Sequence, residues 1–198
     1  MELPDLPELA PSAYVTLGLL EVYGPGTPYD LKRWADGSIG YFWSVPRAQL
    51  YVEPTRLAKI GLLEETQELE GRRRRVYRIT DSGRVALRAW LRAGSPGAAE
   101  NRDPGLLKLY FSAISSQEEV VALARKEAEI HAVRLAEYEA IQRRLEQLPR
   151  AGFALATLRL GQAHERAAID FWTWVAEKPP SVPEPGAPLA AGCDPPAS

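Results

Sequence analysis

The spacing of apolar residues changes twice between Gly61 and Asp81, and this limits the folds open to the chain. Before it, apolar residues recur every third or fourth position, which is typical of helices. Residues 63–70 and 76–80 instead alternate two kinds of side chain, which predicts a β-hairpin with its tip around residues 70–73. Thr80 then caps another helical pattern. The chain therefore places a hairpin between helices.

Three short helices are predicted before the hairpin, over about residues 12–23, 28–36 and 46–60. Each has a candidate N-capping hydroxyl: Ser12, Thr27 and Ser44. The third is expected to bury an apolar stripe: Leu50, Leu57 and Ile60. The aromatic loop before it is expected to fill the core: Tyr41, Phe42 and Trp43. Three helices, a hairpin and a further helix are the order of a winged helix-turn-helix with a connector helix.

A run of four arginines lies at or just after the tip of the predicted hairpin: Arg72, Arg73, Arg74 and Arg75. A basic wing tip can enter a DNA minor groove, where the narrow walls concentrate negative potential, or it can contact phosphates. A solvated hairpin is the alternative for such a charge run. The position after a helix-turn-helix favours DNA, so we predict that these arginines bind it.

The start of the third helix carries side chains suited to reading bases. Arg47 can pair with guanine and Gln49 with adenine, each through two hydrogen bonds. The hydroxyl of Tyr51 suits a phosphate oxygen, although a core tyrosine is the alternative because Leu50 precedes it. Three further residues are candidate contacts, the last less suited to reach bases: Lys32, Arg33 and Arg56.

The C-terminal half is predicted to be helical over residues 105–178, after a linker over residues 95–104. Ser115 or Ser116 caps a long helix whose apolar stripe has the spacing of a coiled coil, so it can pair with another helix. The candidate dimerisation residues lie on that stripe: Val120, Leu135, Tyr138, Ile141, Leu145 and Leu148. The last helix is apolar on two faces, which suits a bundle between subunits.

Aromatic residues could form a pocket for a planar hydrophobic effector, because flat rings stack on such ligands. The candidates are Trp90, Tyr110, Phe111, Phe171, Trp172 and Trp174, with ordinary core or interface packing as the alternative for each. The two histidines, His131 and His164, lie on or beside apolar stripes without further metal ligands nearby. We expect them to be packed or hydrogen-bonded, with no metal site and no cofactor.

Composition narrows the class of protein. The net charge is −2, and no apolar run approaches the roughly 20 residues of a membrane helix. The one cysteine, Cys193, falls in a Pro-rich tail over residues 179–198 that we expect to be disordered. A soluble intracellular protein is predicted, with residues 1–11 as an N-terminal arm. Catalysis is not expected, since the sequence has no nucleophile–base pair or Gly-rich phosphate loop.

Several short segments in a fixed order resemble the PadR family of phenolic-acid-decarboxylase-type repressors. They include LGLL at 17–20, YDLKR at 29–33, QLY at 49–51 and RRVYRITDSGR at 74–84. The resemblance is specific over residues 12–92 and looser beyond. It implies a mainly α fold with a small β-hairpin: an N-terminal winged helix-turn-helix over residues 12–94 and a C-terminal helical dimerisation domain.

The resemblance also implies a function. Proteins of this family are homodimeric, ligand-responsive regulators whose third helix enters the major groove beside the wing. We therefore expect a cytoplasmic, nucleoid-associated repressor that reads an inverted repeat in double-stranded DNA and is released by a small aromatic ligand. The alternative is a ligand- or protein-binding module that has lost DNA binding.

Overall fold

The computed structural model describes residues 9–67, 74–94, 97, 102–149 and 151–181, and these form two compact units. The first unit falls within residues 1–97 and the second within residues 98–198. Both are mainly helical, and the only described sheet is a two-stranded hairpin in the first unit. The predicted fold class is confirmed. None of the described helices is long and apolar enough to cross a membrane.

The first unit begins with three helices, α1 (Pro11–Tyr23), α2 (Pro28–Gly37) and α3 (Arg47–Lys59). Thr27 caps α2 as predicted, through a reciprocal box in which Thr27 Oγ1 accepts from Asp30 N and Asp30 Oδ2 accepts from Thr27 N. Ser12 does not cap α1, which starts one residue earlier at Pro11 because proline fits the first helical turn. Ser44 does not cap α3 either, because Pro46 occupies the N-cap position.

The hairpin is antiparallel and consists of β1 (Leu63–Gln67) and β2 (Arg75–Ile79). Leu63 pairs with Ile79 and Glu65 with Tyr77, so Leu63, Tyr77 and Ile79 share the buried face. The hydroxyls of Tyr77 and Thr55 are 2.9 Å apart, which joins the hairpin to α3. The hairpin is thereby held against the helices. Residues 68–73, which include the predicted tip at residues 70–73, lie outside the described residues.

Thr80 caps the next helix, α4 (Asp81–Arg92), and Gly83 lets its first turn approach the preceding loop. Thr80 Oγ1 accepts from Gly83 N at 3.1 Å and donates to Gly61 O at 2.8 Å. A Cβ on Gly83 would lie 2.2 Å from the backbone oxygen of Leu62. Only glycine fits this contact.

Gly83→Ala is therefore expected to lower the free energy of unfolding of the first unit by about 1–3 kcal/mol, through overpacking against backbone. Gly18→Ala is the matched control, because a Cβ there meets nothing within 4 Å and Gly18 lies inside α1. That control is expected to gain about 0.5–1 kcal/mol from helix propensity. Urea unfolding followed by tryptophan fluorescence measures both. Equal stability of the two variants would contradict the prediction.

The second unit contains α5 (Pro104–Phe111), a short 3₁₀ turn (Ser112–Ile114), α6 (Gln117–Leu145) and α7 (Gly152–Glu177). Ser116 caps α6 as predicted, with Glu119 completing the capping box. The two long helices form an antiparallel hairpin, since Val120 and Ala124 near the start of α6 cluster with Trp172 and Val175 near the end of α7.

Candidate DNA-binding surface

Helix α3 has a buried face and an exposed face, and the exposed one carries three of the predicted DNA-contact residues. Leu50 and Leu57 are buried in the core, as predicted. Arg47, Gln49 and Tyr51 are exposed. The alternative of a core position for Tyr51 is thus not what the structure shows. Ile60, predicted to be buried, is exposed because α3 ends at Lys59 and the chain turns away at Gly61, whose φ is +76°.

Arg47 and Tyr51 are neighbours one helical turn apart. The guanidinium carbon of Arg47 lies 5.8 Å from the centre of the Tyr51 ring, within cation–π range. A contact of this kind restricts the Arg47 side chain, which is itself exposed. The two predicted contact residues therefore lie in contact with each other on the exposed face of α3.

The basic residues of α2 are paired within their own helix. Lys32 forms an ion pair with Asp36, and Arg33 Nη2 lies 3.1 Å from Asp30 Oδ1. Partial burial raises the pKa of Asp30. Hydrogen bonds from Thr27 and the charges of Arg33 and Arg74 together lower that pKa by more, so its net shift is downward. Asp30 is therefore ionised at neutral pH, and its charge interacts with that of Arg74 just before β2.

Arg56 is held by the buried carboxylate of Glu53 on α3. Its Nη2 lies 2.5 Å and its Nε 3.1 Å from Glu53 Oε1. The hydrogen bond to Glu53, and its negative charge, raise the pKa of Arg56 despite desolvation. Because this guanidinium already neutralises a buried acid, a contact to DNA would be made by its remaining exposed edge.

The described part of the arginine run lies at the start of β2. Arg74 and Arg75 are exposed, and Arg75 Nε is 3.4 Å from Glu65 Oε1 on β1. Arg72 and Arg73 lie outside the described residues. Arg78, which is exposed and opposite Glu64, was not among the predicted contacts, although its alternation with Tyr77 and Ile79 could have identified it as outward-facing.

The aromatic loop before α3 does not fill the core, contrary to the prediction. Phe42 is 54% exposed and Trp43 is 46% exposed. The smaller Ile39 and Val45 on either side of them pack against the core instead. Tyr41 is half-buried and packs edge-on against Phe42, with ring centres 4.9 Å apart.

The predicted effector residues are divided between the two units. Trp90 lies on α4 in the first unit and stacks on Tyr14 at 4.7 Å. Trp172 is buried in the core of the second unit. The other four are exposed in the second unit: Tyr110, Phe111, Phe171 and Trp174. A shared pocket for all six stays a prediction.

The predicted dimerisation residues face α7 to different degrees. Val120 and Tyr138 are buried within the chain, so α7 already covers them. Leu135, Ile141 and Leu145 are half-buried, and Leu148 is exposed. The opposite face of α7 is apolar and exposed: Phe153, Ala156, Leu160, Ala163, Ala167, Phe171 and Trp174. We call these seven residues the outer α7 stripe.

The two histidines differ. His131 Nδ1 lies 2.5 Å from Glu165 Oε2, which confirms a hydrogen-bonded position between α6 and α7, and Arg134 Nη1 lies 3.8 Å from Glu165 Oε1. His164 is exposed rather than packed, because it lies on the flank of α7 and not on the face toward α6, and a hydrogen-bonded position for it stays a prediction. No metal-ligand cluster occurs among the described side chains.

Two family models match consecutive parts of the chain. The transcriptional regulator PadR-like family matches residues 16–89, from α1 into α4, and the virulence activator alpha C-terminal family matches residues 101–178, from α5 to α7. The chain is 28% identical over 128 residues to the negative transcriptional regulator PadR of Bacillus subtilis, covering 64% of this chain and 70% of that protein. It is 31% identical over 165 residues to a probable transcriptional regulator of Mycobacterium tuberculosis, covering 75% and 87% respectively.

Solved structures agree with these matches. A crystal structure of Bacillus subtilis PadR in complex with operator DNA has a TM-score of 0.74 and 25% identity, covering 83% of this chain and 96% of that one. A crystal structure of the same protein in complex with p-coumaric acid has a TM-score of 0.69 and 20% identity, covering 85% and 97%.

Proposed function

Because the chain belongs to the PadR-like family of DNA-binding transcriptional regulators, we propose that it is a homodimeric repressor that a small hydrophobic ligand releases from DNA. It would bind DNA of the nucleoid in the cytoplasm. It would not catalyse a reaction. The observation that carries the proposal is the outer face of α3, where Arg47, Gln49 and Tyr51 are exposed above a buried leucine face.

These three side chains match what a recognition helix needs. The first residues of such a helix meet base edges in the major groove. Arg47, restrained by the Tyr51 ring, can donate to two acceptors of guanine, and Gln49 can both donate to and accept from adenine. Each good pair discriminates against a wrong base by about 1–3 kcal/mol. The α3 surface therefore supplies sequence reading.

The wing and α2 supply contacts that do not depend on sequence. Arg74 and Arg75 are exposed at the end of the hairpin ladder where Arg75 pairs with Gln67, and the rest of the predicted arginine run, Arg72 and Arg73, lies outside the described residues. Lys32 and Arg33, each paired with a carboxylate one turn away, and Arg56, paired with Glu53, would donate hydrogen bonds to a phosphate backbone. These residues would fix the register of α3 on the duplex.

The outer α7 stripe supports a homodimer. Its residues recur at intervals of three and four over the length of α7, yet the chain itself leaves them exposed. Exposed apolar surface of this extent marks an interface in soluble proteins. Two copies related by a two-fold axis would present two α3 helices to half-sites about one turn of DNA apart, in an inverted repeat.

Ligand release is supported by aromatic side chains at the surface of the second unit, namely Tyr110, Phe111, Phe171 and Trp174. A structure of the Bacillus subtilis relative holds p-coumaric acid, a planar aromatic acid. A ligand of this chemistry would lower DNA affinity only by binding more tightly to the form that cannot engage both half-sites. The ligand class proposed is therefore a planar, hydrophobic small molecule.

Selection of a duplex from a random pool, followed by fluorescence anisotropy, tests the proposal. The native chain is expected to select an inverted repeat that contains guanine within α3 reach. Arg47→Ala should then lose about 1–3 kcal/mol of discrimination at one symmetric guanine position. Lys59→Ala, an exposed cation at the end of the same helix, is the matched control and should leave base preference unchanged. If the native chain selects no duplex at low salt, the result would favour the alternative, a ligand- or protein-binding module that has lost DNA binding.

A further inference from the structure

The turn between α2 and α3 has a hydrogen-bonded backbone and two large, partly exposed aromatic side chains, Phe42 and Trp43. Phe42 N donates to Ile39 O at 3.0 Å, and Trp43 N donates to the same oxygen at 2.8 Å. Gly40 N donates to Ala35 O at 2.8 Å, which ties the turn to the end of α2. These hydrogen bonds therefore fix the backbone from which the two rings extend.

The burial in this turn is inverted relative to side-chain size. Ile39 and Val45 pack against the core, whereas Phe42 and Trp43 are about half exposed. Removing apolar area from water is favourable in proportion to the area, so a core would gain more from the aromatic rings than from the aliphatic pair. The sequence keeps the larger apolar groups outside, which indicates a partner for them.

DNA fits this position better than a protein does. Four residues after Trp43 the chain reaches Arg47, and Gln49 follows, both exposed on the end of α3 that faces base edges in the proposed complex. A turn that enters a recognition helix reaches the sugar–phosphate wall of the groove. Two half-exposed rings offer only about 200 Å², far below the roughly 800 Å² per partner of a stable protein interface.

We propose that Phe42 and Trp43 contact the DNA backbone beside the major groove, as an apolar contact that adds to the charged ones. The proposal rests on the proposed function. The Phe42 ring would pack on deoxyribose carbons, and the indole N–H of Trp43 would donate to a phosphate oxygen. Neither contact adds charge, so it strengthens binding without adding to the release of counterions.

The test is fluorescence anisotropy on the duplex selected by the native chain, measured across a salt series. The double variant F42A/W43A is expected to bind about tenfold more weakly, with an unchanged slope of log affinity against log salt. W43F should recover part of the loss, because it keeps a ring but lacks the N–H donor. Leu91→Ala removes an exposed apolar side chain from α4 and is the matched control, expected to bind like the native chain.

Each outcome decides between accounts. Affinity of F42A/W43A equal to that of the native chain would overturn the proposal while leaving the proposed function intact. A change in oligomeric state, measured by light scattering, would overturn it in favour of a contact between protein copies. A native chain that selects no duplex would overturn both. If circular dichroism shows that the double variant is unfolded, the single variants F42L and W43F replace it. Each is then expected to bind the selected duplex more weakly than the native chain, and native affinity in both would overturn the proposal.

Discussion

Changing Arg72, Arg73, Arg74 and Arg75 together to alanine is expected to weaken operator binding about 10²–10³-fold at physiological salt. Each arginine that neutralises a phosphate releases a condensed counterion, which adds about 0.9 to the slope of log affinity against log salt. Losing up to four such contacts should make that slope shallower by about 3–4. Anisotropy on the selected duplex at several salt concentrations measures both quantities.

The pairing of Arg75 with Glu65 sets how much each arginine contributes. Their 3.4 Å contact means that Arg75 has a carboxylate within reach before DNA arrives, so its contribution to the slope should be smaller than that of Arg74. The single variants Arg74→Ala and Arg75→Ala separate the two. Changing all four positions to lysine should restore the slope, because charge and not guanidinium geometry governs counterion release.

Arg143 and Arg144 provide the control for charge alone. Both are exposed in the last turn of α6, in the second unit. Their change to alanine should leave the salt slope unchanged. Equal slopes for the native chain and the fourfold alanine variant would contradict the prediction, show the run to be a solvated hairpin tip, and leave recognition to Arg47 and Gln49.

The sequence predicted well at several places where a local signal decides the structure, although the local candidates Ser12 and Ser44 do not cap their helices. Thr27 followed by proline and Asp30 forms a complete capping box, and Ser116 with Glu119 forms another, because a cap depends only on residues within one turn. The hairpin followed from alternation in the same way. The exposed positions of Arg47, Gln49 and Tyr51 followed from the helical spacing of Leu50 and Leu57.

Prediction was wrong where the structure depends on what lies across space. Hydrophobicity assigned Phe42 and Trp43 to the core, but Ile39 and Val45 pack against the core from this turn while Phe42 and Trp43 stay about half exposed. Periodicity likewise identified the apolar stripe of α6, but it did not identify which helix packs against that stripe. Val120 and Tyr138 on that stripe pack within the chain, since a stripe has the same spacing whether its partner helix is intramolecular or not.

The interface between subunits should therefore lie on the outer α7 stripe rather than on the buried part of the α6 stripe. Leu160, which is 72% exposed, lies in the middle of that stripe. On the opposite face, Leu158 and Trp172 are buried in the second unit. A substitution at Leu160 can thus disturb association without removing a contact that folds the subunit.

Leu160→Glu is expected to convert the dimer to a monomer at micromolar concentration and to weaken operator binding by at least about 10³-fold. An unpaired carboxylate buried in an apolar interface costs several kcal/mol, and the two-fold axis introduces two of them per dimer. A monomer holds one half-site alone, so it loses the gain from binding two half-sites at once. Sedimentation velocity and anisotropy on the same samples measure the two effects.

Arg159→Glu is the matched control, since Arg159 is the adjacent exposed residue and lies on the polar flank of α7 outside the stripe. It should stay dimeric and bind as the native chain does, which separates burial of a charge from a change in net charge. Native helicity of Leu160→Glu by circular dichroism would show that α6 and α7 still pack. A Leu160→Glu variant that remains a dimer and binds operator normally would move the interface off the outer α7 stripe. Other candidates would then include exposed apolar residues of α5 such as Leu107 and Tyr110, of α6 such as Val133, and Leu148 beyond the end of α6.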